Sequence, residues 1–184
     1  MDPNARFQFQ PTLAGPTLGL RPLVQEDLDD LYAIASDPLL WELHPQPDRW
    51  KRPVFEKFFA AGIASGGALL ATANDTGRVV GTSRFYYADF PAREMTIGYT
   101  FLARSRWGTG DYREMKDLML RHAFRWVDTV WFHIGKHNFR SRGAMEKIGG
   151  KFDREETEEI LGVVRESVFY RIERCEWDNG ISSP

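Results

Sequence analysis

The segment that most restricts the fold is a glycine turn, Trp107-Gly108-Thr109-Gly110, at which the spacing of apolar residues changes. Before the turn, residues 94–102 alternate like a strand, and after it apolar residues recur at helical spacing from Met115 to Trp126. Glycines permit a tight turn, and the first turn of a helix carries N–H groups that have no partner within the helix. A strand, a glycine turn and a helix in this order are typical of a phosphate-binding site.

The glycine turn alone leaves an ordinary strand-to-helix connection open. A Rossmann fingerprint requires a third glycine at position 113, where Arg113 lies, and a P-loop requires a Gly-Lys-Ser/Thr sequence that is missing here. Arg104, Arg106 and Arg113 surround the turn. They could make charge-assisted contacts with phosphate oxygens or form only a solvated face.

The patterns along the rest of the chain predict one mixed α/β domain. Helical patterns begin at Gln25, Val54 and Asn138 and directly after Gly110. The predicted strands are 17–22, 68–73, 78–87, 94–102, 130–135, 151–157 and 164–174. This order predicts a central twisted, mixed and mostly antiparallel sheet of about seven strands flanked by helices. We expect the domain over residues 17–174, an irregular proline-containing arm over 1–16, and a frayed tail over 175–184.

Charge and cysteine content exclude several classes of partner. The net charge is −2, so the chain has no global basic field for nucleic acid. One cysteine, Cys175, allows neither an intramolecular disulfide nor a CxxC site, and the four histidines show no ligand spacing, so we predict no metal. The start of the chain does not read as a signal peptide, and no apolar run approaches the ~18 residues of a membrane span. We therefore expect a cytoplasmic protein without a membrane or nucleic-acid partner.

A second segment, running from Asn138 to Gly149, resembles a characteristic segment of the GNAT acyltransferase superfamily. The likeness is strongest to the branch of ribosomal-protein N-terminal acetyltransferases, which reads Asn-x-x-Ser-x-x-x-x-Glu-Lys-Leu-Gly there. The glycine turn resembles the pyrophosphate loop of this family, and Ile97-Gly98-Tyr99 resembles its fourth strand. Residues 20–23 match the usual start of the domain, and the resemblance extends over about residues 18–174.

The resemblance implies an acetyl-CoA-dependent N-acyltransferase, in which an amine attacks the thioester directly in a ternary complex. In the family, the fourth and fifth strands splay apart, and the pantetheine arm of acetyl-CoA lies between them. The residues that the resemblance places against acetyl-CoA are Phe101, Leu102, Ala103, Arg106, Trp107, Gly108, Thr109, Gly110, Tyr112, Arg113, Asn138 and Arg142.

Two residues are candidates for the proton transfers. Many family members use a tyrosine as general acid where Met145 lies, whereas the ribosomal-type branch places a serine at the position of Ser141. Ser141 could protonate the leaving thiolate, or it could be a small polar residue in the first turn of a helix. The family usually has a glutamate at the position of Thr96, and Glu94 lies two residues before it. Glu94 could accept the amine proton directly or through water, or it could be a surface carboxylate.

Strict alternation predicts the two faces of the strand over residues 94–102. One face would carry Met95, Ile97, Tyr99 and Phe101, and the other Glu94, Thr96, Gly98 and Thr100.

Two classes of function stay open at this point. The first is an N-acetyltransferase whose acceptor is either a protein N-terminal amine or a small-molecule amine, with a homodimer possible. The second is a non-catalytic acyl-CoA-binding or regulatory module, since Met145 and Thr96 replace two residues that family members commonly use. Consumption of the thioester distinguishes the two classes.

Overall fold

The computed structural model describes residues 6–160 and 163–181, which form an eight-stranded sheet. The strands are β1 (Leu13–Ala14), β2 (Leu18–Pro22), β3 (Ala68–Ala73), β4 (Val79–Asp89), β5 (Glu94–Leu102), β6 (Thr129–Gly135), β7 (Lys151–Ile160) and β8 (Val163–Glu173). Their order across the sheet is β1-β2-β3-β4-β5-β6-β8-β7, and only β5 and β6 are parallel neighbours. The predicted mixed, mostly antiparallel sheet is confirmed, with β1 as an additional strand.

Helices cover both faces of this sheet. The α-helices in the described part of the chain are α1 (Leu28–Ala35), α2 (Arg52–Ala64), α3 (Asp111–Ala123), α4 (Phe139–Lys147) and α5 (Arg174–Ile181). α3 and α4 pack on one apolar cluster, which we call the α3 core, and α1 and α2 pack on a second one, the α1 core. The sheet separates the two clusters, and the buried apolar side chains of the strands belong to one or the other.

The described part of the N-terminal arm packs on the domain. Phe7 is buried in the α3 core, with its ring centroid 5.4 Å from that of Phe85 and 4.8 Å from that of His122. β1 then pairs with β2. Prolines in this segment prevent a long helix or strand, but they do not prevent burial of single aromatic side chains. Residues 1–5 lie outside the described part.

The predicted frayed tail also differs from the structure. α5 continues directly from β8, and the ring of Trp177 lies 5.3 Å from that of Phe124 at the edge of the α3 core. One partly buried tryptophan is enough to hold a short polar helix against the domain. Residues 182–184 lie outside the described part.

β5 contains a bulge in the middle of its pairing with β4. Tyr99 and Thr100 both lie opposite Ser83, and Tyr99 adopts a left-handed backbone conformation with φ of 52°. The regular pairs on either side are Arg84 with Gly98 and Thr82 with Phe101. A bulge inserts one extra residue, so every later side chain moves to the opposite face of the sheet.

This bulge makes the prediction of strict alternation wrong beyond Gly98. Met95 and Ile97 lie in the α3 core as expected, but Phe101 lies in the α1 core. Thr100 instead faces α3, where it contacts Lys116. The sequence pattern of β5 contains nothing that marks the inserted residue, because tyrosine is an ordinary strand residue and only its positive φ reveals the bulge.

A lysine of α3 supports the bulge from the α3 core. Lys116 is 1% exposed, and its Nζ donates hydrogen bonds to Thr100 Oγ1 at 2.6 Å and to Ser83 Oγ at 3.2 Å. Within the described ranges no carboxylate forms a salt bridge with it. Burial lowers the pKa of Lys116 to about 7, because the apolar surroundings disfavour the ammonium form. The bulge is therefore held by a group whose charge is destabilising at neutral pH.

The packing of the arm predicts that Phe7→Ala destabilises the protein by about 3 kcal/mol, because it removes a buried ring. Urea unfolding measures this change. Phe152→Ala, at a ring that is 55% exposed, serves as the control and should cost less than about 1 kcal/mol. Equal losses in the two variants would contradict a structural role for the arm.

The burial of Lys116 predicts a pH-dependent effect of Lys116→Met. The folded-state pKa lies below the usual value of 10.5, so between about pH 7 and 10 the unfolded chain binds more protons and the stability of the wild type rises with pH. The stability advantage of the variant should therefore be largest at pH 7. It should shrink by about 2 kcal/mol by pH 9, at about 1.4 kcal/mol per pH unit of differential protonation.

Urea unfolding at pH 7, 8 and 9 checks this prediction. Lys57→Met, at an exposed lysine of α2, is the matched control and should show no such trend. A difference between wild type and Lys116→Met that does not change with pH would contradict the assignment of a lowered pKa.

Candidate functional site

β5 and β6 separate after three residue pairs, and a cleft opens between them. Their pairing runs only from Glu94 with Thr129 to Thr96 with Trp131. Beyond these pairs β5 continues along β4, whereas β6 continues along β8 as far as Gly135. Backbone groups that would bond across an unbroken sheet therefore face the cleft, where a ligand with amide groups can pair with them.

A cavity of about 910 Å³ occupies this cleft. Its walls come from the open parts of β5 and β6, from α3 and α4, and from the loop between α1 and α2. Of the residues predicted to form the site, it is lined by Phe101, Tyr112, Asn138 and Ser141. The volume is within the range of sites for cofactors and small molecules.

The glycine turn lies next to this cavity, at the start of α3. Gly108 and Gly110 have φ of 77° and 98°, which side chains with a Cβ rarely adopt. A Cβ built on either glycine meets no atom within 4 Å, so the space in front of the turn is open. Thr109 Oγ1 donates to the carbonyl of Arg106 at 2.9 Å and fixes the turn. The N–H of Asp111 is bonded to Thr109 Oγ1 at 3.4 Å, and the open space at both glycines leaves room for an anion beside the other first-turn N–H groups of α3.

A smaller cavity of about 380 Å³ lies on the far side of the turn and is lined by Thr109, Gly110, Arg113 and Arg121 among others. Arg113 also donates to the carbonyl of Lys147 at the end of α4. The glycine turn therefore lies between two cavities, one beside the sheet and one beside the exposed face of α3.

The two other arginines near the turn pair with acidic side chains. Arg106 lies 3.4 Å from Asp111 and 3.7 Å from Asp75, and Arg104 forms an ion pair with Asp37. Their charges are thus largely balanced within the protein. Arg113 is the arginine of this group that faces an open cavity.

The aromatic residues of the turn leave its backbone accessible. The ring of Tyr112 packs against the α3 core and lines the cleft, and burial raises the pKa of its hydroxyl. Trp107 Nε1 donates to the carbonyl of Leu102 at 3.2 Å, and the guanidinium of Arg140 lies 4.0 Å from the Trp107 ring. Ala103 donates its N–H to Val80 at 2.8 Å. Leu102 and Ala103 therefore already use one backbone group each within the protein.

The start of α4 forms the opposite wall of the cleft. Asn138 caps the helix, since its side-chain oxygen accepts from the N–H of Ser141 at 3.2 Å. Asn138, Ser141 and the buried Met145 all line the cavity. Asparagine is a favoured N-cap, so the cap fixes the start of α4 and holds Ser141 in its first turn.

Arg142 and Glu94, which were also predicted, do not line the cavity. Arg142 donates to the carbonyl of Lys136 at 3.0 Å and to the hydroxyl of Tyr170 at 3.3 Å, which ties α4 to the sheet. Glu94 is in the paired end of β5, where its carboxylate accepts from Trp131 Nε1 at 3.1 Å. The structure does not bring Glu94 together with Ser141, because the cleft opens only after Thr96.

Three buried charged residues at or behind the cavity were not predicted from the sequence. Lys116 lines it from α3, and Arg49 lines it from the loop between α1 and α2. Arg84 lies behind it on β4, with its guanidinium 4.1 Å from the centroid of Tyr99. A signal existed for two of them, because Lys116 interrupts the apolar stripe of α3 and Arg84 interrupts an apolar strand.

Residues 6–160 and 163–181 contain no group of three or more histidine, cysteine or acidic side chains placed to hold a metal ion. In the same ranges, no helix is both long enough and apolar enough to cross a bilayer.

Several solved structures share this fold. A GCN5-related N-acetyltransferase from Brucella melitensis is 20% identical, with coverage of 92% of this chain and 81% of that chain and a TM-score of 0.78. A protein assigned as a ribosomal-protein-serine acetyltransferase from Vibrio cholerae is 12% identical, with coverage of 88% and 97% and a TM-score of 0.73. Spermidine N-acetyltransferase from Vibrio cholerae, solved with CoA and spermine, is 16% identical, with coverage of 88% and 98% and a TM-score of 0.67.

At sequence identities of 12% to 20%, the similarity to these structures shows a shared fold and no more. No curated protein matches the sequence significantly. The sequence model of the acetyltransferase (GNAT) domain matches residues 17–151. Since these residues make up well over half of the chain, the protein belongs to the GNAT acetyltransferase family.

Proposed function

We propose that this protein is an N-acetyltransferase that transfers the acetyl group of acetyl-CoA to a primary amine in a ternary complex. The observation that carries the proposal is the open cleft between β5 and β6 with a glycine turn and a helix N-terminus beside it. The family supplies the reaction type, and the cleft supplies a place for both reactants.

The residues present fit acetyl-CoA along its length. Backbone groups of Ile97–Phe101 on β5 would pair with the amides of the pantetheine arm, and the side chain of Asn138 would contact that arm from α4. The N–H groups from Gly108 to Arg113 would hold the pyrophosphate. Arg113, which lines the smaller cavity, would add a positive charge beside it.

The reaction requires a neutral amine, which attacks the carbonyl carbon of the thioester. A C–N bond forms, the C–S bond breaks, and the amine loses a proton while the thiolate gains one. A thiolate with a pKa near ~8.5 leaves without a strong acid, so orientation of the two reactants contributes much of the acceleration. A backbone N–H of the bulge at Tyr99–Phe101 would stabilise the negative charge that develops on the carbonyl oxygen.

Ser141 is the proton donor that the arrangement favours. Its hydroxyl belongs to a helix that lines the cleft, opposite the bulge of β5, while Met145 in the next turn carries no proton to donate. Glu94 stays a prediction as the base, and its place at the paired end of β5 favours transfer of the amine proton to solvent.

The structural relatives do not decide the acceptor, because one is assigned to a ribosomal protein and another acts on spermidine. A protein N-terminal amine and a small-molecule amine are both consistent with the fold. The cytoplasmic location and the homodimer stay predictions, as does the alternative of a binding module without turnover.

The first prediction concerns acetyl-CoA binding. Gly110→Val should weaken acetyl-CoA binding by at least about tenfold, since a β-branched residue is strained at this positive φ and its side chain would occupy the open space of the turn. Calorimetry measures the Kd. Gly66→Val, at another glycine with positive φ and open space, is the control and should leave the Kd unchanged. Unaltered affinity in a folded Gly110→Val variant would refute binding at this turn.

The second prediction concerns Ser141. Ser141→Ala should lower turnover by roughly 10- to 100-fold with nearly unchanged acetyl-CoA affinity, because it removes a proton donor and leaves the glycine turn and Asn138 intact. Ser141→Thr keeps a hydroxyl and should recover part of the loss. Thiol release under saturating acetyl-CoA gives the turnover. A full rate in Ser141→Ala would remove the general-acid assignment.

A further inference from the structure

Two arginines are buried at the end of the cleft that is formed by the loop between α1 and α2. Arg49 is 8% exposed and Arg84 is 6% exposed, which is unusual for charged side chains. Burial lowers the pKa of Arg49 to about 10 and also lowers that of Arg84, and the charge of Arg84 further disfavours the charge on Arg49. Both remain protonated at neutral pH, so two like charges are held close together.

The protein does not balance these charges with carboxylates. In the described part of the chain, neither arginine forms a salt bridge, and the Nε atom of each is buried without a hydrogen-bond partner. The guanidinium of Arg84 lies over Tyr99, and that of Arg49 lies 4.5 Å from the centroid of Phe58. Arg49 Nη2 also donates to the side-chain oxygen of Gln46. Aromatic faces and a neutral amide attract a cation, but they do not balance its charge in the way that an oxygen anion does.

The acidic residues that line the cavity are already paired with other cations. Glu42 forms an ion pair with Arg140, and Glu166 contacts Lys136 at 3.0 Å and His137 at 3.1 Å. These carboxylates therefore do not compensate for Arg49, and the arginine end of the cavity stays electropositive.

His44 adds a further donor beside Arg49. Its Nδ1 accepts from the backbone N–H of Gln46 at 2.9 Å, so this nitrogen carries no proton. Burial, with the nearby charge of Arg49, lowers the pKa of His44 to about 3, and the ring is neutral. Its proton must then lie on Nε2, which faces Arg49 Nη1 at 3.2 Å. Two donors thus face each other, and an oxygen bound beside this pair, at about 3 Å from each nitrogen, would accept from both.

We infer that the acceptor of the acetyl group is an amine that carries a carboxylate, and that Arg49 and His44 bind this carboxylate with Arg84 behind them. This inference rests on the proposed function, since it names the substrate class of the same cavity. Arg49 lines the cavity from the loop between α1 and α2, and Tyr99 of the bulge lines it from β5. A carboxylate bound by Arg49 would hold the attached amine in the same cavity as the carbonyl that it attacks.

The same charges argue against a polyamine as the acceptor. A polyamine carries several positive charges and would meet two buried guanidinium groups without a free carboxylate between them. The required acceptor is either a free amino acid or a peptide with an acidic group near its N-terminal amine, because both present an amine and a carboxylate a few atoms apart.

Thiol release from acetyl-CoA with matched amines tests the inference. The first arm compares the common amino acids with their decarboxylated amines, the second compares peptides that differ only by Asp or Asn at the second residue, and the third uses spermidine. We expect turnover only with acceptors that carry a carboxylate, and the first two arms distinguish a free amino acid from a peptide. Equal turnover of a carboxylate-bearing amine and its neutral match, or preference for spermidine, would overturn the inference.

Single-residue variants test whether Arg49 binds the carboxylate of the acceptor. Arg49→Gln should raise the KM of the best acceptor by about 10- to 100-fold, as for loss of a charge-assisted hydrogen bond, with a smaller change in kcat and an unchanged Kd for acetyl-CoA. Arg52→Gln removes an exposed arginine that pairs with Asp29 and Glu56, and it should leave the KM unchanged. An unchanged KM in Arg49→Gln would contradict the assignment.

A binding measurement separates this inference from the proposed function. If no amine released thiol from acetyl-CoA, the proposed catalysis would be contradicted. A binding measurement would still show whether the cavity holds a carboxylate. In calorimetry on the CoA-loaded protein, N-acetylalanine should bind more tightly than N-acetylalaninamide, and Arg49→Gln should abolish the difference. Equal affinities in the unchanged protein would refute the carboxylate site.

Discussion

Backbone N–H and C=O groups inside a sheet require partners, and the separation of β5 from β6 leaves a row of them facing a cavity. The other features of the site are arranged around this opening. The bulge at Tyr99 and Thr100 shapes one side of it, and the cap at Asn138 places α4 on the other. The glycine turn follows the open end of β5 within a few residues, and in the proposed function the strand and the helix N-terminus bind the same acetyl-CoA molecule.

The site is built with polar groups that are unfavourable for stability. Lys116 is buried beneath the bulge without an acidic partner, and Arg49 and Arg84 are buried at the end of the cavity without one, within the residues described. Proteins commonly depart from the rules of stable cores where they bind ligands. Here all three unfavourable groups lie at the site. Lys116 supports the strand that lines the cleft, and Arg49 and Arg84 lie at or behind the end where the acceptor would enter.

Much of the fold could be predicted from the sequence, because the spacing of apolar residues and the positions of turn residues indicate local structure directly. β3 and β5 have the predicted bounds, and the glycine turn begins the helix as expected. The side-chain faces of β5 could not be predicted, since a single positive φ at Tyr99 reverses them. Burial of Phe7 and Arg49 depends on contacts with distant segments, which local periodicity does not record. The same limit applies to Glu94, which lies where β5 and β6 are still paired, and to Arg142, which bonds to Lys136 and Tyr170.

The most direct test of the account is a crystal structure of the protein with acetyl-CoA. The account predicts that the pantetheine arm lies between β5 and β6 and bonds to the backbone of Ile97–Phe101. The pyrophosphate should lie against the N–H groups of Gly108–Arg113. Acetyl-CoA bound elsewhere on the protein, with the two strands unchanged and the cleft free of it, would contradict the central claim.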